Sequence, residues 1–329
     1  MTRNIIKTLG IVFVLTMFLI FYMFVINPIV DNDEVIEREY KYHFQVLVDE
    51  NIIVDSYKKF ESKLISSAEK KNVFVEVIKL QDTDSKSELI EQGIYSKVDG
   101  IACSMQGSVV SDKLCKKAEA NKVALVDYGM NPYEYKNVVS VGVDERQLAI
   151  LAADKICDIT DKNDKILVFL NGENEKNKNI DKIIKKEFNK HYKKDRKKKN
   201  IKYIVVDKDK FELEPYIMDV LEENDDYEGI VALDSKYSTV IGNIIYNKEI
   251  DNMPHKKVVA LGENDNVTYL KNSIFSYVLD IDEEDMANKV LSTLVDKKED
   301  VKIRNYITDL LVISLDKNKV VTKTYDIKE

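Results

Sequence analysis

Residues 228–245 read EGIVALDSKYSTVIGNII. The segment opens on a short apolar, β-branched run and stops at an acid. It resumes with apolar residues at helical spacing, so it reads as a buried strand, a turn at Asp234, and a helix. VGVDERQLAILAADKI at 141–156 repeats the pattern, with Asp144 at the join. Working outward, strand-like runs recur at His43–Asp49, Val73–Leu80, Gly100–Met105, Val123–Tyr128, Val138–Asp144, Lys165–Asn171, Ile201–Asp207, Gly229–Asp234, Lys256–Gly262, Ser273–Asp280 and Tyr306–Asp316. Helical patterns separate most of them, at Ser56–Lys71, Ser108–Asn121, Arg146–Thr160, Ile180–Lys194, Glu212–Glu223, Lys236–Tyr246 and Asp282–Lys297. Alternation of this kind means parallel βαβ units with right-handed crossovers and helices on both sheet faces. So many strands exceed one tidy open sheet, and two α/β lobes are expected.

Composition fits this reading. The chain has 329 residues, 44% of them hydrophobic and 33% charged, which is enough apolar material for a packed core. Its 50 basic and 58 acidic residues give a formal charge of −8, and phosphate binding needs the opposite sign, which argues against nucleic acid as a partner. Three cysteines, Cys103, Cys115 and Cys157, form no disulfide framework or zinc spacing. The three histidines, His43, His191 and His255, make no metal motif, and no phosphate-binding glycine loop or nucleophile elbow is present. No cofactor, metal or catalytic residue is therefore expected. Glu283-Glu284-Asp285 reads as the acidic first turn of a helix. The basic stretch Lys182–Lys202 carries Ile180, Ile183, Ile184, Phe188 and Tyr192 at helical spacing, the core face of a solvated helix.

The N-terminus sets the expected location. Leu9–Ile26 holds 18 residues without a charge, close to the ~20 needed to span a bilayer. Arg3 and Lys7 precede it, and Asp31, Asp33, Glu34 and Glu37 follow, which places the body outside the cell. No small-residue cleavage site and no nearby cysteine follow the run, so an uncleaved signal anchor is expected over a cleaved peptide or a lipoprotein. The expected organisation is a cytoplasmic N-terminus at 1–8, an anchor at 9–26 and an extracellular stalk at 27–41. An N-terminal lobe follows at 42–137 plus 282–303, and a C-terminal lobe at 138–281 plus 304–325.

Asp49, Asp127, Asp144, Asp207, Asp234 and Asp280 each close a strand-like run. In parallel sheets ligands bind outside the carboxyl ends of strands. Carboxylates gathered there accept hydrogen bonds from sugar hydroxyls or pair with a cation. Each is also a favoured helix N-cap.

These motifs resemble the type I periplasmic binding proteins, in particular the ribose/xylose-binding-like group related to lac-repressor-type ligand domains. The resemblance runs from about His43 to Ser314. Val141–Ile156 resembles the first crossover between lobes, and Glu228–Ile245 the strand–Asn-Asp–helix motif, with Leu233 in place of the Asn. Lys256–Asn266 resembles a late strand carrying a ligand-facing acid or amide, which Glu263 supplies. Ser276–Leu294 resembles the return crossover, where Asp280 and Met286 match while Ile281 and Ala287 replace Gln and Gly. Lys122–Tyr128 resembles a strand ending in Asp-Arg, with Asp127 kept and Tyr128 replacing Arg. The resemblance implies a two-lobe fold that closes on a sugar, with aromatic rings stacked on it and polar groups on its hydroxyls. Carried over, Tyr57 and Phe211 supply rings, and Ser104, Gln106, Asp127, Tyr128, Asp144, Asp234, Glu263 and Asp280 complete the candidate ligand-binding set. The departures weaken the case for an ordinary hexose or pentose site.

The resulting expectation is non-catalytic recognition of a small extracellular solute, most of all a carbohydrate. The partner is a membrane permease of an ABC system or a sensor histidine kinase. The replaced polar positions raise an alternative, a scaffold that has lost its ligand and serves as a protein-interaction module.

Overall fold

The computed structural model describes residues 14–18, 39–49, 57–81, 85–105, 110–129, 138–171, 175–192, 200–206, 210–249, 256–262, 265–301, 304–317 and 319–325. Residues 1–40 and the body from Lys41 form separate compact units. Most of the proposed anchor, including both its ends, and the stalk through 38 lie outside the described residues. Among those described, no helix is long and apolar enough to cross a membrane.

The body contains two sheets. The first uses β1 (Tyr42–Asp49), β2 (Val73–Leu80), β3 (Gly100–Cys103), β4 (Ala124–Gly129), β5 (Val139–Gly142) and the two-residue β11 (Tyr306–Ile307), in the order β11-β5-β4-β3-β1-β2. Every pairing in it is parallel. The second uses β6 (Ile166–Asn171), β7 (Ile201–Val206), β8 (Gly229–Ala232), β9 (Lys257–Leu261), β10 (Tyr277–Ile281), β12 (Leu310–Asp316) and β13 (Lys319–Tyr325). Its order is β13-β12-β10-β9-β8-β6-β7. The sheet is parallel as far as β10, and the β12–β13 hairpin is added antiparallel. Each lobe is thus a doubly wound 2-1-3-4-5 sheet, and its order reverses between its first and third strands.

Helices cover both faces because parallel crossovers leave them there. In lobe one, α1 (Tyr57–Lys70) packs on one face, and α2 (Lys86–Tyr95) and α3 (Asp112–Ala120) on the other. In lobe two, α4 (Glu145–Ile159) and α5 (Glu175–Tyr192) cover one face. The opposite face takes α6 (Lys210–Glu223), α7 (Ser235–Glu249) and α8 (Asp265–Lys271). α9 (Glu283–Lys298) returns to lobe one and packs beside α1 through Met286, Val290, Leu291 and Leu294.

Three sequence expectations are corrected. Tyr306–Asp316 is not one strand: β11 ends at Ile307 in the first sheet, and β12 starts at Leu310 in the second. The chain therefore changes lobes within this run, which a hydropathy pattern alone does not mark. β5 belongs to the first sheet, where Val139 pairs with Val126, so lobe one extends past the expected boundary at 137. α2, α8 and β13 were not anticipated, although Ser85 caps α2 by accepting from the Glu88 amide at 3.3 Å, a Ser-x-x-Glu start signal. The acidic start of α9 and the buried face of α5 at Ile184, Phe188 and Tyr192 match expectation.

Asp181 sits on that buried face, only 4% exposed. Burial pushes its carboxyl up to about 6, against a weaker opposing pull from Lys185. A folded-state pKa above the unfolded value means that the folded form binds the proton more tightly. This group therefore costs stability above the folded pKa, and the cost fades as pH falls toward about 4. Asp181→Asn is expected to raise Tm at about pH 7.5 by the equivalent of ~1 kcal/mol, the carboxyl being partly screened, and to make little difference near pH 4. Parallel Tm–pH curves for the two proteins would contradict this.

Candidate functional site

The chain leaves lobe one from the carboxyl end of β5, at Gly142, and enters lobe two at α4. It leaves lobe two from the carboxyl end of β10, at Ile281, and returns to lobe one at α9. β11, parallel to β5, hands over to β12 beyond Ile307. Every crossing so exits a parallel strand at its carboxyl end. The carboxyl ends of both sheets, their ligand-competent edges, are thereby turned toward the same hinge.

In lobe two the order reverses between β6 and β8. Asn171 ends β6, and Asp234 lies two residues beyond β8. The Asn171 Nδ2 donates to Asp234 Oδ2 at 2.9 Å, bridging the switch point. The other oxygen, Oδ1, accepts from the Lys236 amide at 2.9 Å and caps α7. Two donors fix this carboxylate in place, half-buried and next to solvent. Beside it, Gly262 (φ +111) follows β9 in the left-handed region. A Cβ there would stand 2.9 Å from Ser235 Cβ and 3.0 Å from Asn266 Nδ2, so the backbone is closely approached from two sides.

In lobe one the corresponding position is the end of β3. Ser104 lies there, 4% exposed, and its Oγ is 3.4 Å from where a Cβ on Gly129 would be. Asp127 is fully buried, and its Oδ1 accepts from the Met105 amide at 2.9 Å, which fixes the turn after β3. Tyr128 is a correction. Its ring is 1% exposed and stacks on Phe60 at 5.3 Å, and its hydroxyl donates to the Leu47 carbonyl at 2.9 Å. Strand alternation sends Asp127 toward α2 and α3 and Tyr128 toward α1, so the ring packs in the core rather than at the strand-end edge.

The remaining candidates divide. Asp144 caps α4, its Oδ1 accepting from the Arg146 amide at 2.9 Å. Asp280 is buried within β10, its Oδ1 accepting from the Ile281 amide at 2.8 Å. Tyr57 opens α1 and Phe211 lies in α6, and where their side chains go lies outside the described residues. Gln106 and Glu263, with Asp207 among the strand-closing acids, also lie outside them.

A hollow of ≈ 560 Å³ has walls from both lobes, within the ~300–1,000 Å³ range of small-ligand sites. Lobe one contributes Lys59 and, from the start of α9, residues 282–285 and Asn288, and lobe two contributes Ile281, Leu311, Thr322 and Thr324. Five carboxylates, of Asp282, Glu283, Glu284, Asp285 and Asp309, line it against Lys59. The fold accounts for much of this charge, since acids stabilise the first turn of α9. Asp282 also caps that helix, accepting from the Asp285 amide at 2.9 Å. Among the described residues, no group of three or more histidines, cysteines or acids is placed to hold a metal ion.

Sequence reasoning missed Asn171, Lys59, Thr322 and Thr324. Asn171 was recoverable, because it closes its strand just as the aspartates do. Thr322 and Thr324 were not, because β13 itself was unseen.

This architecture defines a class: a two-lobe α/β binding protein whose lobes are joined by a hinge of three crossings. Residues 54–300, more than half the chain, match the model of the periplasmic binding protein domain family. The chain belongs to that family, type I in its fold, and such a scaffold binds ligands and is not an enzyme. Solved structures agree on the fold. An ABC transporter solute-binding protein from Burkholderia graminis C4D1M, in complex with D-arabinose, is 16% identical with a TM-score of 0.71, covering 84% of this chain and 96% of its own. A periplasmic solute-binding protein from Actinobacillus succinogenes 130z with bound D-allose is 16% identical with a TM-score of 0.70, covering 83% and 98%. A chain from a mutant XylFII–LytSN complex is 16% identical with a TM-score of 0.62, covering 85% and 100%. No curated protein sequence matches.

Proposed function

We propose that the protein is a membrane-anchored extracellular receptor for a small polyhydroxylated solute, most of all a carbohydrate. The observation that carries this reading is the Asn171–Asp234 pair, fixed across the switch point of lobe two at 2.9 Å. A carboxylate held by two donors keeps lone pairs in fixed directions, which suits hydroxyl donors. The sugars bound in the similar Burkholderia and Actinobacillus proteins support the same solute class. The uncharged run Leu9–Ile26 supports the anchor.

A tethered receptor stays beside its membrane partner. We infer either the substrate-binding subunit of a sugar ABC system or the ligand-sensing partner of a histidine kinase. The likeness to an ABC transporter solute-binding protein favours the first, and the likeness to a chain found in complex with LytSN favours the second. Loss of solute uptake on deletion would support transport, and a stable ectodomain complex would support sensing.

A second reading has its own observation. Asp127, Tyr128 and Asp144 all serve internal bonds, as in a scaffold that has lost its solute and kept a protein-interaction role. A thermal-shift screen of the body from Lys41 against sugars, polyols, amino acids and nucleosides separates the two. A bound solute at ~100 times its Kd adds ~2.7 kcal/mol, and a sugar or polyol is expected to raise Tm accordingly. No shift across the panel would favour the interaction module.

A further inference from the structure

The change of lobe falls on one line. At the first crossing, the Val143 amide donates to the Gly129 carbonyl at 3.3 Å and stays with lobe one, while Asp144 caps α4 of lobe two. At the second, Ile281 pairs with Leu310 in the lobe-two sheet, while Asp282 caps α9 of lobe one. At the third, the Thr308 amide donates to the Gly142 carbonyl at 2.8 Å and the Asp309 amide to Asp285 Oδ2 at 3.2 Å, both in lobe one. Leu310 then begins β12. The Asp282 amide donates to the Asp309 carbonyl at 2.9 Å and ties the last two crossings together. Rotation of the lobes must bend the chain at 143/144, 281/282 and 309/310.

The third crossing is the weakest of these, because β11 has only two residues and a neighbour on one side. Asn305 Oδ1, just before β11, accepts from the Ser140 amide of β5 at 3.0 Å, and a second side chain, from α9, grips the far end. The Lys289 Nζ, on α9, donates to the Ile307 carbonyl at 2.8 Å and to Asp285 Oδ2 at 2.6 Å, and lies 4.0 Å from Asp309 Oδ1. Asp285 and Asp309 are two of the five carboxylates that line the hinge hollow. Lys63 pairs with Glu284 at 2.8 Å, farther from the crossing. Without the Lys289 charge, Asp285 and Asp309 would face each other across the amide that joins them. Both Lys289 and Asp285 are about three-quarters buried, so solvent screens this repulsion only in part.

We propose that Lys289 is a positioning residue of the hinge. Its ammonium clamps residues 307–309 to lobe one and confines lobe rotation to the pivot line above. A hinge works by a few residues absorbing the change in φ and ψ. Holding Asp309 fixed leaves the bend to the next bond, so open and closed states differ by one defined rotation. Releasing it lets the third crossing bend over several residues, and the lobes sample a wider range of angles.

The test needs no solute, so it stands or falls separately from the proposed function. Spin labels go on Ser62→Cys in α1 and Asn247→Cys in α7, both exposed and in different lobes. The full-length protein carries Cys157→Ser as background, because Cys103 and Cys115 are buried and Cys157 is half-buried. Pulsed-EPR distances between the labels report the spread of lobe angles. Lys289→Met is expected to broaden the distribution about twofold. Lys289→Arg, which keeps the charge, is expected to restore the narrow one. Lys298→Met is the control, because Lys298 bonds Asp99 and the Lys122 carbonyl within lobe one; it is expected to leave the width unchanged. An unaltered width in Lys289→Met overturns the proposal. So does equal broadening in Lys298→Met, which would mean general loosening of α9, or a Lys289→Arg distribution as broad as that of Lys289→Met.

Discussion

Tyr128→Ala is expected to destabilise the body by about 4 kcal/mol, the range for deleting a buried aromatic ring. The ring is 1% exposed and lies flat on Phe60, with an interplanar angle of 11°. Around it stand Val46, Val126, Val141 and the apolar face of α9, in a core shared by α1, α9 and the first sheet. Removing it opens a cavity that rigid strands cannot collapse, and leaves the Leu47 carbonyl without its donor. Tyr128→Phe keeps the ring and is expected to cost only ~1 kcal/mol. Denaturant unfolding measures both. A solute contact would give the opposite pattern, with near-normal stability in Tyr128→Ala and lost binding in Tyr128→Phe.

The second large effect separates a helix cap from a ligand contact. Asp144 and Asp234 cap helices in the same way, each with Oδ1 accepting an amide two residues on at 2.9 Å. Alanine at either position is expected to cost ~1 kcal/mol of stability. Only Asp234 also takes the Asn171 amide across the switch point. A hydrogen bond to a charged group is worth ~1.5–3 kcal/mol, and ~1.4 kcal/mol is tenfold in affinity. Asp234→Ala should therefore weaken binding of any solute found in the screen about ten- to hundredfold, while Asp144→Ala leaves it close to wild type. Calorimetric titration of both variants decides the matter, and equal affinities would remove Asp234 from the site.

Parallel layers were legible because period-two and period-3.6 apolar patterns alternate along the chain, as in 228–245. The strand ends were legible too, since acids close so many runs. Which end-of-strand acid faces a solute was not. In a parallel sheet covered on both faces, adjacent residues such as Asp127 and Tyr128 are both buried, and alternation points them at different helices rather than at core and solvent. The sequence alone does not tell these two directions apart. β11 and β12 were merged because Tyr306–Asp316 is continuous in hydropathy, while its two ends pair in different sheets.

Local pattern by itself determined the α/β class, the two lobes, the acidic start of α9 and the core face of α5. These depend on neighbours within a few turns, whose spacing the chain carries directly. Tertiary structure alone decided the pairing of Asn171 with Asp234, 63 residues apart, the hinge line, and the grip of Lys289 on Ile307. Strand order is set by how crossovers pack and not by sequence distance. A lysine four residues after an aspartate reads as an ordinary helix pair until the fold lays another strand across both.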